Sequence, residues 1–440
     1  MKALKRYRIG WLSLLLVFCL GTTLASAHAA LLRTTPSNGE VLKNNPHKIA
    51  LEFSEPLEPD LIGLKLYGWN GEEIRIKGPK LTPGNASQMY AEVPGLSEGT
   101  YTVAWSVVSE DGHPVKGSYS FSVGKMTPGK IPAPGEHSYN GLTALLIVLR
   151  FLVEGIILLG GGLYWLAWYA AKRGFPAFTD ILGKVCYFGW AILLIGSITE
   201  WFVYSATLPG DSLLSSLLAG RWELIGQSSF AMMLLVQFVL LFLLVIPGMV
   251  EGWYLFVWTL LISAFALGGH VWGTEPVWAA IMLRVLHLLA ISIWLGGLTY
   301  LVLLLKWEKR SGREINRAAF HSFFVRMALI AACGTAVTGA GMATVQTGWS
   351  LFVLNEGRTW GVLLLLKVIL FCMMLAFALK QTLHWAKDGH SLLRDKLKWE
   401  WLIGIVIILA GVWMSQISYP HAIDNTINNT IQILQGGTKK

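Results

Sequence analysis

Eight apolar segments follow one another along the chain, at about 142–171, 181–207, 226–246, 252–270, 277–305, 318–347, 359–386 and 399–418. Each is close to the roughly 20 residues that a helix needs to cross a bilayer, so residues 142–420 are expected to form an all-α polytopic membrane bundle of about eight transmembrane helices. Hydrophobic residues make up 54% of the chain and charged residues 14%, where a soluble domain carries about 25% charged. A single soluble enzyme is excluded, as is a disordered or fibrous chain. The net charge of +9 would suit a nucleic-acid partner, but the basic residues sit in short clusters between the apolar runs. That placement belongs to membrane topology.

The beginning of the chain reads as an export signal. Lys2, Lys5, Arg6 and Arg8 precede an apolar core from Ile9 to Leu20, and Ala25-Ser26-Ala27 supplies a small-x-small cleavage site. A basic start, a core too short to span and such an end describe a secretory signal peptide over residues 1–27. Cleavage after Ala27 would make His28 the first residue of the mature protein. The four cysteines are scattered and give no disulfide framework.

Residues 28–124 have a different texture. Short β-rich runs (Lys48–Phe53, Leu61–Tyr67, Glu73–Lys77, Gln88–Val93, Thr100–Val108, Gly117–Val123) alternate with turn chemistry such as Asn70-Gly71, Pro83-Gly84-Asn85 and Asp111-Gly112. An all-β Greek-key sandwich is expected, its core resting on Phe53, Leu66, Trp105, Tyr119 and Phe121. Residues 125–141, with three prolines and three glycines, read as a linker. With the sandwich outside, twelve Lys and Arg fall on inward loops, among them Lys172, Arg173, Arg310 and Arg394; four (Arg221, Arg358, Lys439, Lys440) fall outside. The positive-inside rule and the signal peptide thus give one topology, a multi-pass cell-membrane protein. The sandwich and the polar tail at 421–440 are both extracytoplasmic in it.

A histidine at a mature N-terminus offers its α-amino and ring nitrogens to one metal ion. The turn Ser109-Glu110-Asp111-Gly112-His113-Pro114 adds a carboxylate and an imidazole at i and i+2, which share a side in extended chain. His28, Asp111 and His113 therefore make a nitrogen/oxygen set suited to tetragonal Cu(II), ahead of nickel or zinc. His28-Ala-Ala-Leu-Leu, Thr35-Pro-Ser-Asn-Gly39, Leu51-Glu-Phe-Ser-Glu-Pro56 and the run Tyr101–Gly124 together resemble the CopC copper-binding family. The resemblance covers nearly all of residues 28–124 and implies a Cu(II) site at the same three residues. The methionine-rich loop that holds Cu(I) in some members is absent, since the sandwich has only Met89 and Met126.

Ionisable groups inside lipid are functional candidates by default. The expected topology puts Arg150, Glu154, Glu200, His270, Arg284, His287 and Lys367 in the outer half of the bundle, with Arg150–Glu154 and Arg284–His287 spaced to pair on one helix face. Imidazoles and thioethers are copper ligands, so a path through His270, His287, Glu154, Glu200 and Met342, with Cu(I) as one possible passenger, is the functional reading. Locking of helices by the charge pairs is the structural one.

Gly268-Gly-His270, His287 through Gly297-Leu298 and Trp360 through Lys367 look like the CopD membrane family over roughly 250–420. The order of modules is similar to CopC–CopD fusion proteins, and this resemblance implies copper uptake and homeostasis, without catalysis. The partners expected are the copper ion and the bilayer, with no nucleic acid. The chain has no G-x-x-x-x-G-K-[ST] run, so ATP is not expected either. Two other classes stay open. One is a haem/copper redox protein reducing Cu(II), with His270 and His287 or His321 and His384 as axial pairs; the other is a copper sensor or store.

Overall fold

The computed structural model describes residues 31–109, 114–127, 136–208, 228–268, 276–347, 358–388 and 394–415. Nine strands come first: β1 (Leu31–Thr35), β2 (Val41–Leu42), β3 (Lys48–Phe53), β4 (Leu57–Tyr67), β5 (Glu73–Ile74), β6 (Lys80–Thr82), β7 (Asn85–Glu92), β8 (Gly99–Ser109) and β9 (Pro114–Val123). They form a four-stranded sheet in the order β1-β3-β7-β6 and a five-stranded sheet in the order β2-β9-β8-β4-β5. All pairings are antiparallel except β2 with β9. Alternation explains the burial: Ile49, Leu51 and Phe53 on β3 turn to one side and are almost fully covered. They meet Val103, Trp105 and Val107 of β8 and Phe121 of β9 in a single core, with Phe53 edge-on to Trp105 at 5.1 Å. The five core residues expected from sequence are all buried here. Tyr119 brings its hydroxyl into this core without a hydrogen-bond partner, and burial pushes its phenol above the usual tyrosine range.

Nine helices follow among the described residues: α1 (Glu136–Ala171), α2 (Phe178–Leu182), α3 (Val185–Thr207), α4 (Ser229–Leu243), α5 (Glu251–Ala264, extended by a 3-10 turn at Phe265–Leu267), α6 (Val277–Ser311), α7 (Arg317–Thr347), α8 (Arg358–Asp388) and α9 (Arg394–Met414). Every apolar segment read from the sequence carries a helix, and six of these helices are long and apolar enough to cross a membrane. The two exceptions are α4, with 15 residues, and α5 with its 3-10 turn. At 1.5 Å per residue α4 reaches only about 22 Å, short of a hydrocarbon core of about 30 Å. Pro247-Gly248 sits between the pair, with Gly248 at φ +76°. At the other end Ser228 caps α4 by accepting a hydrogen bond from the Ala231 amide at 3.1 Å. Helix α1 already begins at Glu136, inside the stretch read as linker.

The centre of the bundle is the crossing of α1 and α6. A Cβ placed on Gly296 would fall 2.2 Å from the Gly162 carbonyl carbon, so the two backbones touch. Small residues permit this approach, which is how helices pack where no hydrophobic driving force exists between them. The Ser292 hydroxyl of α6 donates to the Leu158 carbonyl of α1 at 2.6 Å and fastens the crossing.

Candidate metal path from the sandwich into the bundle

Polar side chains from four helices gather in the half of the bundle at which α1 begins. Arg150 and Glu154, one turn apart on α1, form an ion pair of 3.1 Å (Nη2 to Oε1), with the arginine 1% exposed. The guanidinium lies 4.6 Å over the Phe230 ring of α4. The i, i+4 pairing expected from sequence is thus made. Glu200 of α3 is buried within electrostatic range of this pair, yet neither carboxylate oxygen has a hydrogen-bond partner. Arg284 of α6 is in range of the same pair.

The expected Arg284–His287 pair does not form. Arg284 Nη1 instead donates to the Gly268 carbonyl at 2.6 Å, where the 3-10 turn after α5 leaves that oxygen free. His287, buried on α6, bonds through Nδ1 to the Thr338 hydroxyl of α7 at 3.0 Å. That hydroxyl spends its one proton on the Gly334 carbonyl at 2.6 Å, so it accepts from the ring. This arrangement suits hydrogen on Nδ1 and a lone pair on Nε2, a form of the ring that can ligate a metal. The ring fits because residue 339 is glycine, where a Cβ would come within 3.3 Å of Cε1. Met342 stands one turn beyond Thr338 on the same face of α7, half-buried.

Glu154 and Glu200 are therefore within electrostatic range of each other, while His287 lies in range of Arg284, and the three do not form a ready-made metal cage. Among the described residues no group of three or more His, Cys, Asp or Glu could hold an ion. The reason is local: Glu154 is engaged by Arg150, and His287 faces α7 instead of the acidic pair. Thr338 escaped sequence reasoning because its partner is 51 residues away. His28, Asp111, His113 and His270 lie outside the described residues.

The framework that flanks the first three is nevertheless defined. Leu31, which opens β1, pairs with Phe53 at the end of β3. Four residues later Leu57 pairs with Ser109, the last residue of β8, and Val108 pairs with Pro114, the first of β9. The start of β1 and the β8–β9 connection thus share one end of the sandwich. Leu61 and Val108, near that end, are buried in the same apolar cluster as the helices. His47, on another connection, is exposed.

Comparison with known proteins follows the same division. The CopC domain family matches residues 31–124. Over nearly the whole length, the chain is 28% identical to "Copper transport protein CutJ" of Bacillus subtilis (strain 168), covering 97% of this chain and 81% of that protein. It is also 34% identical over 122 residues to "Copper resistance protein C" of Pseudomonas syringae pv. tomato, covering 26% of this chain and 96% of that protein. Among solved structures, CopC from Methylosinus trichosporium OB3b is 26% identical and covers 24% of this chain and 100% of its own, with a TM-score of 0.22.

Proposed function

The chain belongs to the CopC family, in the form that fuses a CopC domain to a CopD-type membrane domain, and from that premise we propose that it is a copper transport protein in which the sandwich captures Cu(II) and hands it to the bundle. Capture falls to the amine and imidazole of His28 with the Asp111 carboxylate and the His113 imidazole, an N/O donor set that favours Cu(II) among divalent first-row ions. Signal-peptide cleavage after Ala27 creates the first of these ligands. The observation that carries the reading is the sharing of one sandwich end: β1 starts there, β8 and β9 are joined there, and Leu61 and Val108 pack on the bundle near it. A metal held at that end has little distance to travel.

Transfer proceeds to the polar cluster of α1, α3, α6 and α7. His287, held by Thr338 through Nδ1, offers Nε2 as the acceptor ligand there, and Met342 and His270 are the further candidate ligands. Orientation follows the loop charges, with the sandwich and the tail extracytoplasmic and copper moving inward. The protein carries an ion and performs no chemical step on it. Two variants of the mature chain test the capture site. His28→Ala, or one extra residue ahead of His28, abolishes tight Cu(II) binding if the N-terminal chelate exists; unchanged affinity in either refutes it.

A further inference from the structure

Two buried carboxylates compete for one guanidinium in the polar cluster. Arg150 bonds Glu154 through Nη2 at 3.1 Å, and its Nε and Nη1 have no hydrogen-bond partner. Glu200 is buried as well and keeps both oxygens unpartnered, although Arg150 is in its electrostatic range. Arg284, in range of the pair, is turned to the Gly268 carbonyl. A chain of contacts accounts for the choice of Glu154. The Arg150 guanidinium lies 4.6 Å over the Phe230 ring. That ring packs on Tyr204, with centroids 4.4 Å apart. The Tyr204 and Ser228 hydroxyls are 2.6 Å apart, and Ser228 is the residue that caps α4. Phe230, Tyr204 and Ser228 are all buried. Tyr204 stands one turn beyond Glu200 on α3, so the ring beneath Arg150 is braced by the same helix that carries the second carboxylate.

A cation over an aromatic face is attracted by the ring quadrupole, most strongly where water is excluded. The contact also fixes the plane of the guanidinium and with it the direction of its N–H groups. We infer that Phe230 is a positioning residue: it holds Arg150 on Glu154 and so leaves Glu200 as the carboxylate free to meet a cation. Glu154 is neutralised by its ion pair, while Glu200 keeps two oxygens to offer. Without the ring, the guanidinium turns its unused Nε and Nη1 towards Glu200 and covers it. The identity of that cation rests on the transport reading above; the hold on Arg150 is a property of the copper-free protein.

The test measures two couplings in the copper-free full chain in lipid nanodiscs, by double-mutant cycles read through thermal unfolding. Arg150→Met with Glu154→Gln reports the ion pair that is made; Arg150→Met with Glu200→Gln reports its competitor. In wild type the first coupling should be the larger. Phe230→Leu, which removes the ring and keeps an apolar side chain, should shrink the first and raise the second. Phe230→Tyr, which keeps the ring, should restore the wild-type order. A larger Glu200 coupling in wild type, or an order unchanged by Phe230→Leu, overturns the positioning role. Copper uptake adds a readout that a packing defect would not reproduce. Phe230→Leu should raise the KM for copper about fivefold with kcat near wild type, and should leave KM unmoved in the Arg150→Met background. A KM that moves equally in both backgrounds, or in neither, also overturns it. Absence of uptake by the wild-type chain would count against the transport reading alone, because the copper-free couplings decide what Phe230 does.

Discussion

Substituting Gly162 by alanine tests the close backbone contact at the α1–α6 crossing. The added Cβ would lie 1.7 Å from the Ser292 carbonyl oxygen and 2.4 Å from its carbon, both backbone atoms. Restoring an ordinary contact of 3.4 Å to the oxygen requires the helices to part by about 1.7 Å, since no side chain is available to move instead. Overpacking of this kind costs about 1–3 kcal/mol. Loss of the Ser292–Leu158 bond adds about 1 kcal/mol, and the better helix propensity of alanine returns about 1 kcal/mol. The net destabilisation is about 2 kcal/mol. Gly155→Ala, on the same helix with nothing within 4 Å of its Cβ, should instead stabilise by up to about 1 kcal/mol. Thermal unfolding of both variants in one detergent, followed by tryptophan circular dichroism, separates them. Equal midpoints, or a more stable Gly162→Ala, would refute the backbone contact.

Three further outcomes are expected. Thr338→Val removes the hydroxyl that orients His287 and should lower copper uptake severalfold while leaving Cu(II) binding at the sandwich unchanged; Thr338→Ser should restore uptake, and failure to do so counts against a positioning role. Leu61→Asp places a charge where the sandwich meets the helices, so uptake should fall while Cu(II) affinity holds; normal uptake would mean the contact is not used. Tyr119→Phe deletes a buried hydroxyl without a partner and should leave stability unchanged or raise it by about 1 kcal/mol. Since burial raises the folded-state phenol above its unfolded value near 10, the wild-type contribution is full below about pH 10 and is lost as pH rises past it. The variant should show a shallower alkaline decline in sandwich melting.

Much of this architecture is written into local pattern, and the exceptions have physical causes. Strand β3 could be bounded from its alternation and flanking turns, because half of its side chains are fully buried. Strands β1, β2 and β6 could not: β1 pairs with β3 alone at the edge of its sheet, and the other two have two and three residues. Such elements exist through their partners and leave little periodic trace. Hydropathy found all eight apolar helices, since bilayer thickness imposes a length; the shortness of α4 and α5 depends on a cap and a turn that hydropathy averages over. In the cluster, Arg150–Glu154 could be read from i, i+4 spacing. Spacing failed for Arg284, because a free carbonyl at the end of the preceding helix competes better than a neutral imidazole. The Thr338–His287 bond, made between helices, has no local signature. At the sandwich, the N/O ligand set suggested itself from chemistry, while the sharing of one end by the start of β1 and the end of β8 emerges only from strand pairing.

Copper accumulation measured in copper-limited cells with the intact gene, without it, and with His28→Ala tests the transport account most directly. Cells with the intact protein should hold several times more copper than cells lacking it, and the variant should fall to the level of the deletion. Equal copper in all three strains, or more copper in the deletion, would contradict inward transport through the captured ion.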